Sequence, residues 1–251
     1  MLFINQKKKP AEVPVPQVAD EKTHIFNLII LDESGSMGSV RDAAWKGCNE
    51  VLSGIRKTQK EKPELLQHVS LLPFNTGEHH YIVKDKMIDE VSDLRSEDYD
   101  PSSCTALYDA MGFSLNELER EVDKYDDAVG LVTIITDGYE NASVEFSGKA
   151  IYDLVERLKK KGWTFAFMGA NQDVMKVAST LNIKNAVEFK FSEQGVASAF
   201  EADRAAKEGF FNRIMNSRSK TRGMTREQRR AYYSQQEAQN DYFVNDEKEK
   251  A

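Results

Sequence analysis

Ile25-Phe-Asn-Leu-Ile-Ile-Leu31 runs directly into Asp32-Glu-Ser-Gly-Ser36. The apolar run reads as a strand over about 24–31, and the polar pentapeptide as the loop it drops into. Asp32, Ser34 and Ser36 place oxygen at i, i+2 and i+4. One carboxylate and two hydroxyls suit a hard divalent cation such as Mg²⁺ better than zinc or copper. A D-x-S-x-S match arises by chance in roughly one chain of this length in ten or twenty. Its position adds weight, because open α/β sheets place their ligands at the carboxyl ends of strands.

Outward from that point, strands and helices alternate. Ala44, Cys48, Val51, Leu52 and Ile55 share one face of a helix over about 39–59. His68-Val-Ser-Leu-Leu-Pro-Phe74 and Tyr81-Ile-Val83, joined through Asn75-Thr-Gly-Glu78, read as an antiparallel hairpin at the sheet edge. Pro73 argues against a central place for the first of them. A second amphipathic helix carries Leu107, Ala110, Met111, Ser114, Leu118 and Val122. Ala128-Val-Gly-Leu-Val-Thr-Ile-Ile-Thr136 is almost continuously apolar, as a strand covered on both faces must be.

A helix over 148–161 ends in three lysines and Gly162, and Trp163–Met168 follows as another buried strand. A short helix near 173–181 and an edge strand over 186–191 complete the alternation. It specifies an α/β, doubly wound sheet, with right-handed crossovers gathering strand carboxyl ends on one rim. Asp32, Thr105 and Asp137 all fall at or just beyond that rim.

Residues 1–22 are rich in Lys and Pro and read as a flexible leader, 23–191 as the α/β domain, and 192–251 as a helical, partly disordered charged extension. Within the extension, a helix over about 193–216 has its apolar stripe interrupted at Ala202-Asp-Arg204. Thr225-Arg-Glu-Gln228 has capping-box spacing for a helix over 226–239. Arg218, Lys220, Arg222, Arg226, Arg229 and Arg230 form a basic cluster read as a solvated helix face, and Asp241, Asp246, Glu247 and Glu249 an acidic end.

The formal net charge of −7 argues against general nucleic-acid or membrane-surface binding. No stretch approaches the ~18 continuous apolar residues of a membrane helix, and the N-terminus lacks a signal-peptide pattern. Two cysteines, Cys48 and Cys104, fit free thiols in a reducing compartment. The expectation is a soluble, cytoplasmic protein.

Asp32-x-Ser34-x-Ser36, Thr105 within Cys-Thr-Ala-Leu-Tyr-Asp-Ala110, and Asp137 within Ile-Ile-Thr-Asp-Gly138 together resemble the three-part signature of the von Willebrand factor type A (vWA) domain, over roughly residues 23–191. The resemblance implies a mostly parallel six-stranded, Rossmann-like sheet of order 3-2-1-4-5-6 with one antiparallel edge strand. It also implies a metal-ion-dependent adhesion site. There Ser34 and Ser36 bind Mg²⁺ directly, with Mn²⁺ and Ca²⁺ as alternatives, Asp32 and Asp137 bind directly or through water, and Thr105 binds in the ligand-competent state. Ala106 stands where the family often has proline, and Ser102-Ser103 where it often has a Gly pair. Neither change removes a ligand oxygen.

Asp and Ser also favour turns and helix caps, so the pentapeptide alone leaves that reading open; Thr105 and Asp137 tip it toward a metal site. Glu33 and the pair His79-His80 read as solvent-facing, and Tyr139-Glu140 as either recognition rim or plain surface. Asn171 or Asp173 could border the same rim, with a helix N-cap the simpler role for Asp173. The leading functional expectation is a non-enzymatic, intracellular adaptor binding an Asp or Glu side chain of a protein partner. Alternatives are an accessory subunit of an ATPase or kinase–phosphatase assembly and, behind it, a Mg²⁺-dependent phosphoesterase. Against the last, the chain has neither G-x-x-x-x-G-K-[ST] nor G-x-G-x-x-G, and Ser34 stands at the second aspartate of a phosphatase-type D-x-D.

Overall fold

A computed structural model describes residues 22–77, 80–170 and 172–243, without the side chains of 172–174. The readings of the leader up to residue 21, of Glu78 and His79, of Asn171, of the Asp173 side chain and of Asp246, Glu247 and Glu249 lie outside the described residues.

Six strands form one sheet in the order β3-β2-β1-β4-β5-β6. They are β1 (Thr23–Asp32), β2 (Leu65–Phe74), β3 (Val83–Met87), β4 (Ala128–Thr136), β5 (Thr164–Gly169) and β6 (Asn185–Glu188). All neighbours are parallel except β2 and β3. The expected sheet order and antiparallel edge are both present.

Burial on both faces follows from the helices that cover them. Ile25, Ile29 and Leu31 of β1 point into one apolar cluster, and Phe26, Leu28 and Ile30 into the other, as period-two alternation requires. The first cluster is closed by α1 (Arg41–Glu61) and α5 (Glu193–Thr221), through Cys48, Val51, Ile55, Phe200 and Phe211. The second is closed by α2 (Leu107–Val122), α3 (Gly148–Lys160) and α4 (Gln172–Thr180). Helices α1 and α5 approach closely at Gly47, where a Cβ would lie 2.1 Å from the Phe200 ring. Among the described residues no helix is long and apolar enough to cross a membrane.

Several local readings shift. Strand β2 has neighbours on both sides despite Pro73. Leu71 O accepts from Ile82 N and Phe74 O from Glu33 N, so alternation turns the proline nitrogen toward the β3 side. Pairing with β3 has already ended there, at Leu71–Val83, and no ladder bond is lost. The outer strand begins at Val83 rather than Tyr81, and β6 stops at Glu188, where the chain turns into α5. A 3₁₀ turn over Gly35–Val40 precedes α1, so the helix expected over about 39–59 runs from Arg41 to Glu61.

The C-terminal segment packs onto the sheet domain. Helix α5 continues to Thr221, beyond the apolar stripe, because α6 (Arg226–Gln239) covers its end and Arg229 Nε donates to Thr221 O. The predicted capping box is formed, with Gln228 N donating to Thr225 Oγ1 and Thr225 N to Gln228 Oε1. Part of the basic cluster is engaged rather than solvated: Arg226 meets Asp126 at 2.7 Å, Arg230 meets Asp123 at 2.6 Å, and Arg229 is buried.

Asp203, where the α5 stripe breaks, is fully buried in a charge network. Lys207 Nζ lies 2.5 Å from Asp203 Oδ2 and 2.5 Å from Thr133 Oγ1 of β4. The Tyr242 hydroxyl donates to Asp203 Oδ1 at 2.9 Å, and Tyr242 N donates to Asn185 Oδ1. This polar core joins α5, the sheet and the segment after α6. Cys48, on the adjoining face of α1, and Cys104 are both free; burial pushes the Cys48 thiol up to about 12.

Candidate metal centre

Asp32 is the last residue of β1 and is wholly buried where the rim is flanked by β2 and β4. Its carboxylate is held from two directions. Ser34 N donates to Oδ1 at 2.8 Å, closing the local turn, and Thr136 Oγ1 at the end of β4 donates to Oδ2 at 2.6 Å. Each oxygen keeps a second acceptor direction. The Tyr99 hydroxyl donates to the Asp32 carbonyl oxygen at 2.6 Å, fixing the backbone as well.

The other oxygens gather beside it. Ser34 and Ser36 hydroxyls are 3.1 Å apart, and Ser36 Oγ donates to Asp137 Oδ1 at 2.8 Å. Thr105, just ahead of α2, is clamped reciprocally to Asn141: Asn141 N donates to Thr105 O and Thr105 N to Asn141 Oδ1, each at 3.1 Å. Gly138 completes the enclosure. A Cβ there would lie 3.0 Å from Thr105 Oγ1 and 3.9 Å from Asp32 Oδ2, so a side chain would enter the space these oxygens share.

Electrostatics favour a cation in that space. Burial pushes the Asp32 carboxyl up to about 6; hydrogen bonds from Thr136 and Ser34 oppose the rise and the Asp137 charge adds to it. Burial also raises Asp137, against the bond from Ser36. Two carboxylates facing one desolvated space repel, and a divalent ion would reverse both penalties. The donors are all oxygen, which fits Mg²⁺, Ca²⁺ or Mn²⁺. Among the described residues no group of three or more His, Cys, Asp or Glu side chains is placed to hold a metal, so any cation here would need the hydroxyls.

No protein-family model and no curated protein matches the sequence. Solved structures do match. The chain is similar to the PilB minor pilin from Streptococcus sanguinis, with TM-score 0.54 and 12% identity over 74% of this chain and 62% of the pilin chain. It is similar to the SpRpn10 VWA domain, with TM-score 0.51 and 14% identity over 72% of this chain and 94% of that one. It is also similar to the vWF domain of the type V pili tip protein Mfa5 from Porphyromonas gingivalis, with TM-score 0.52 and 10% identity over 76% of this chain and 97% of that one. The fold is that of a vWA domain. At these identities the likeness shows the fold alone, and the chain spans less than two thirds of the pilin it matches.

Within the vWA fold, the five predicted residues Asp32, Ser34, Ser36, Thr105 and Asp137 lie on one rim. Hydrogen bonds link four of them directly or through one neighbour, and Thr105 faces Asp32 across Gly138. The supporting residues Thr136, Tyr99 and Asn141 escaped the sequence reading, because their partners are 104, 67 and 36 positions away. Two surface readings are corrected. Glu33 is buried and accepts from Asp100 N at 2.8 Å, and Glu140 turns inward to accept from Tyr108 N at 2.9 Å. His80 is exposed.

The departures from the usual vWA signature acquire a physical reading. Ser103 has φ +66°, the left-handed region that favours glycine, and its carbonyl accepts from Gly35 N at 3.0 Å. Ala106 has φ −100°, away from the angle a proline ring imposes. Ser103→Gly is expected to leave stability unchanged or raise it by about 1 kcal/mol, and Ser103→Val to lower it by about 1–2 kcal/mol. Urea titration of the two variants measures both.

Proposed function

We propose that this protein is a non-enzymatic, metal-dependent protein-interaction module that captures an Asp or Glu side chain of a protein partner. The observation that carries the reading is the convergence of Asp32, Ser34, Ser36, Thr105 and Asp137 around a space that Gly138 keeps open. The ion proposed is Mg²⁺, with Mn²⁺ or Ca²⁺ as substitutes, and the setting proposed is the cytoplasm.

Bound Mg²⁺ would supply an electrophilic centre able to accept one more carboxylate. The protein's residues set the charge of that centre. Two carboxylates balance a divalent ion, and three neutral hydroxyls add donors without adding charge, so a partner's anion still finds a favourable site. Thr136 and Ser34 N orient Asp32, and Asn141 holds Thr105 at the mouth. Ser36 and half-buried Asp137 border solvent, where a partner side chain must enter. The vWA fold of the neighbours supports the interaction class and says nothing of the partner.

Affinity purification from the native host tests this with the full chain as bait. Proteins recovered in Mg²⁺ are expected to be lost with EDTA and lost again with Asp32→Ala, while circular dichroism shows that variant folded. Equal recovery in all lanes would sink the reading.

A further inference from the structure

Strand β6 ends one side of the sheet and pairs only with β5. Phe189 N, just past its last residue, donates to Gly169 O of β5. Alternation then turns the backbone N–H and C=O of Val187 toward β5, and those of Ala186 and Glu188 outward. Among the described residues none bonds these outward groups.

Beside this free edge runs a groove of about 410 Å³ between β6 and α5. Val187 and Phe189 form its strand side, and Gly195, Ser198, Ala199 and Ala202 its helix side. Small residues at helical spacing leave room for a chain to lie against α5. An unpaired edge with such a groove can take one more strand, held by backbone hydrogen bonds.

The chain leads its own next segment to this place. Tyr242 N donates to Asn185 Oδ1 at the start of β6, and the Tyr242 hydroxyl bonds Asp203, the neighbour of Ala202. Phe243 packs against the same core, and Val244-Asn-Asp-Glu-Lys-Glu-Lys-Ala251 follows. From Asp203 back to Glu193, the first residue of α5, the helix rises about 15 Å. Extended chain from 243 to 247 spans about 16 Å. Val244 would then lie beside Ala199, and Asp246 and Glu247 at the amino end of α5 next to Lys190. The positive end of the helix dipole favours carboxylates there. A segment tethered this closely also outcompetes a free partner, because its effective concentration is on the order of millimolar or higher.

We propose that residues 244–250 fill this groove as a seventh strand parallel to β6, so that the chain's own C-terminal segment covers the sheet edge. The contact is intramolecular and independent of the metal centre. Its role is to keep an unpaired edge from joining another chain.

Amide exchange on the full chain tests this, with Val244→Asp and the double variant Asp246→Lys, Glu247→Lys for comparison. In wild type the amides of Ala186 and Glu188 are expected to be protected. In each variant they should exchange about tenfold faster, through loss of one buried Val or reversal of the charges at the helix end. The Val187 amide faces β5 and should exchange equally in all three proteins, which shows the sheet intact.

Protection lost in the variants at unchanged monomer mass would uphold the proposal. Fast exchange at Ala186 and Glu188 in wild type would overturn it, as would protection that neither variant alters. Protection that grows with protein concentration, with a dimer on size-exclusion chromatography, would assign the edge to a second copy and overturn the intramolecular strand.

Discussion

Asp32→Asn is expected to leave the metal-free protein as stable as wild type or more stable, and to abolish stabilisation by Mg²⁺. In the metal-free state the Asp32 carboxylate is fully buried, its pKa is pushed up to about 6, and Asp137 is an ionic neighbour. At neutral pH the ionised form therefore costs on the order of 2–3 kcal/mol relative to the unfolded chain. The amide removes that charge and keeps the shape. Its oxygen can still accept from Ser34 N, and the Thr136 hydroxyl can rotate to accept from the new N–H₂.

The sign with pH follows from the raised value. Between about 4 and 6 the folded state holds the proton more tightly than the unfolded state, so the metal-free protein gains stability from Asp32 as pH falls through that window and loses it as pH rises past 6. Mg²⁺ reverses the balance for wild type alone. At a hundred times its Kd the ion adds about 2.7 kcal/mol. Thermal unfolding in EDTA and in millimolar Mg²⁺, run on both proteins, reads all of this. A Mg²⁺-induced rise of the same size in the Asn variant would refute the site.

Lys207→Met is expected to be the most damaging conservative change in the α5 helix, at about 3–5 kcal/mol. The ammonium is nearly inaccessible and bonds Asp203 and Thr133; removing it strands a carboxylate of zero exposure. Tyr242 still donates to Asp203, but one neutral hydroxyl does not replace a cation in a desolvated site. Pairing the change with Asp203→Leu should recover most of the loss, because apolar replacement of a whole buried pair is often neutral. Urea unfolding of the two single variants and the double variant gives the coupling directly. Additive losses would mean that the pair contributes no linked stability.

These two expectations rest on features of different legibility. Asp32 was readable because its neighbours in sequence announce it: an apolar run, then oxygens at alternate positions. Asp203 was visible only as an interruption of an amphipathic stripe. Its partners, Lys207 apart, are 70 and 39 positions away on β4 and after α6. A lone acidic residue on a helix face carries no signal of which distant groups will neutralise it. The same holds for Glu33, read as solvent-facing, and for Glu140, read as recognition rim or plain surface, because Glu is usually solvated. Glu33 instead accepts from Asp100 N, and Glu140 from Tyr108 N of α2 and from Ala142 N and Ser143 N, roles that exist only once these segments are folded together.

The sequence by itself determined the alternation of strands and helices, the sheet order through resemblance to the vWA domain, and the placing of Asp32, Ser34, Ser36, Thr105 and Asp137 at or just beyond one rim, because periodicity and local turn chemistry are written in adjacent residues. Tertiary structure alone decided which groups hold those oxygens in place, that Pro73 is harmless, that residues 193–243 pack onto the sheet domain, and that Asp203 is neutralised by Lys207 and Tyr242. Each of these depends on contacts between residues far apart in the chain, where geometry and desolvation, rather than local pattern, set the free energy.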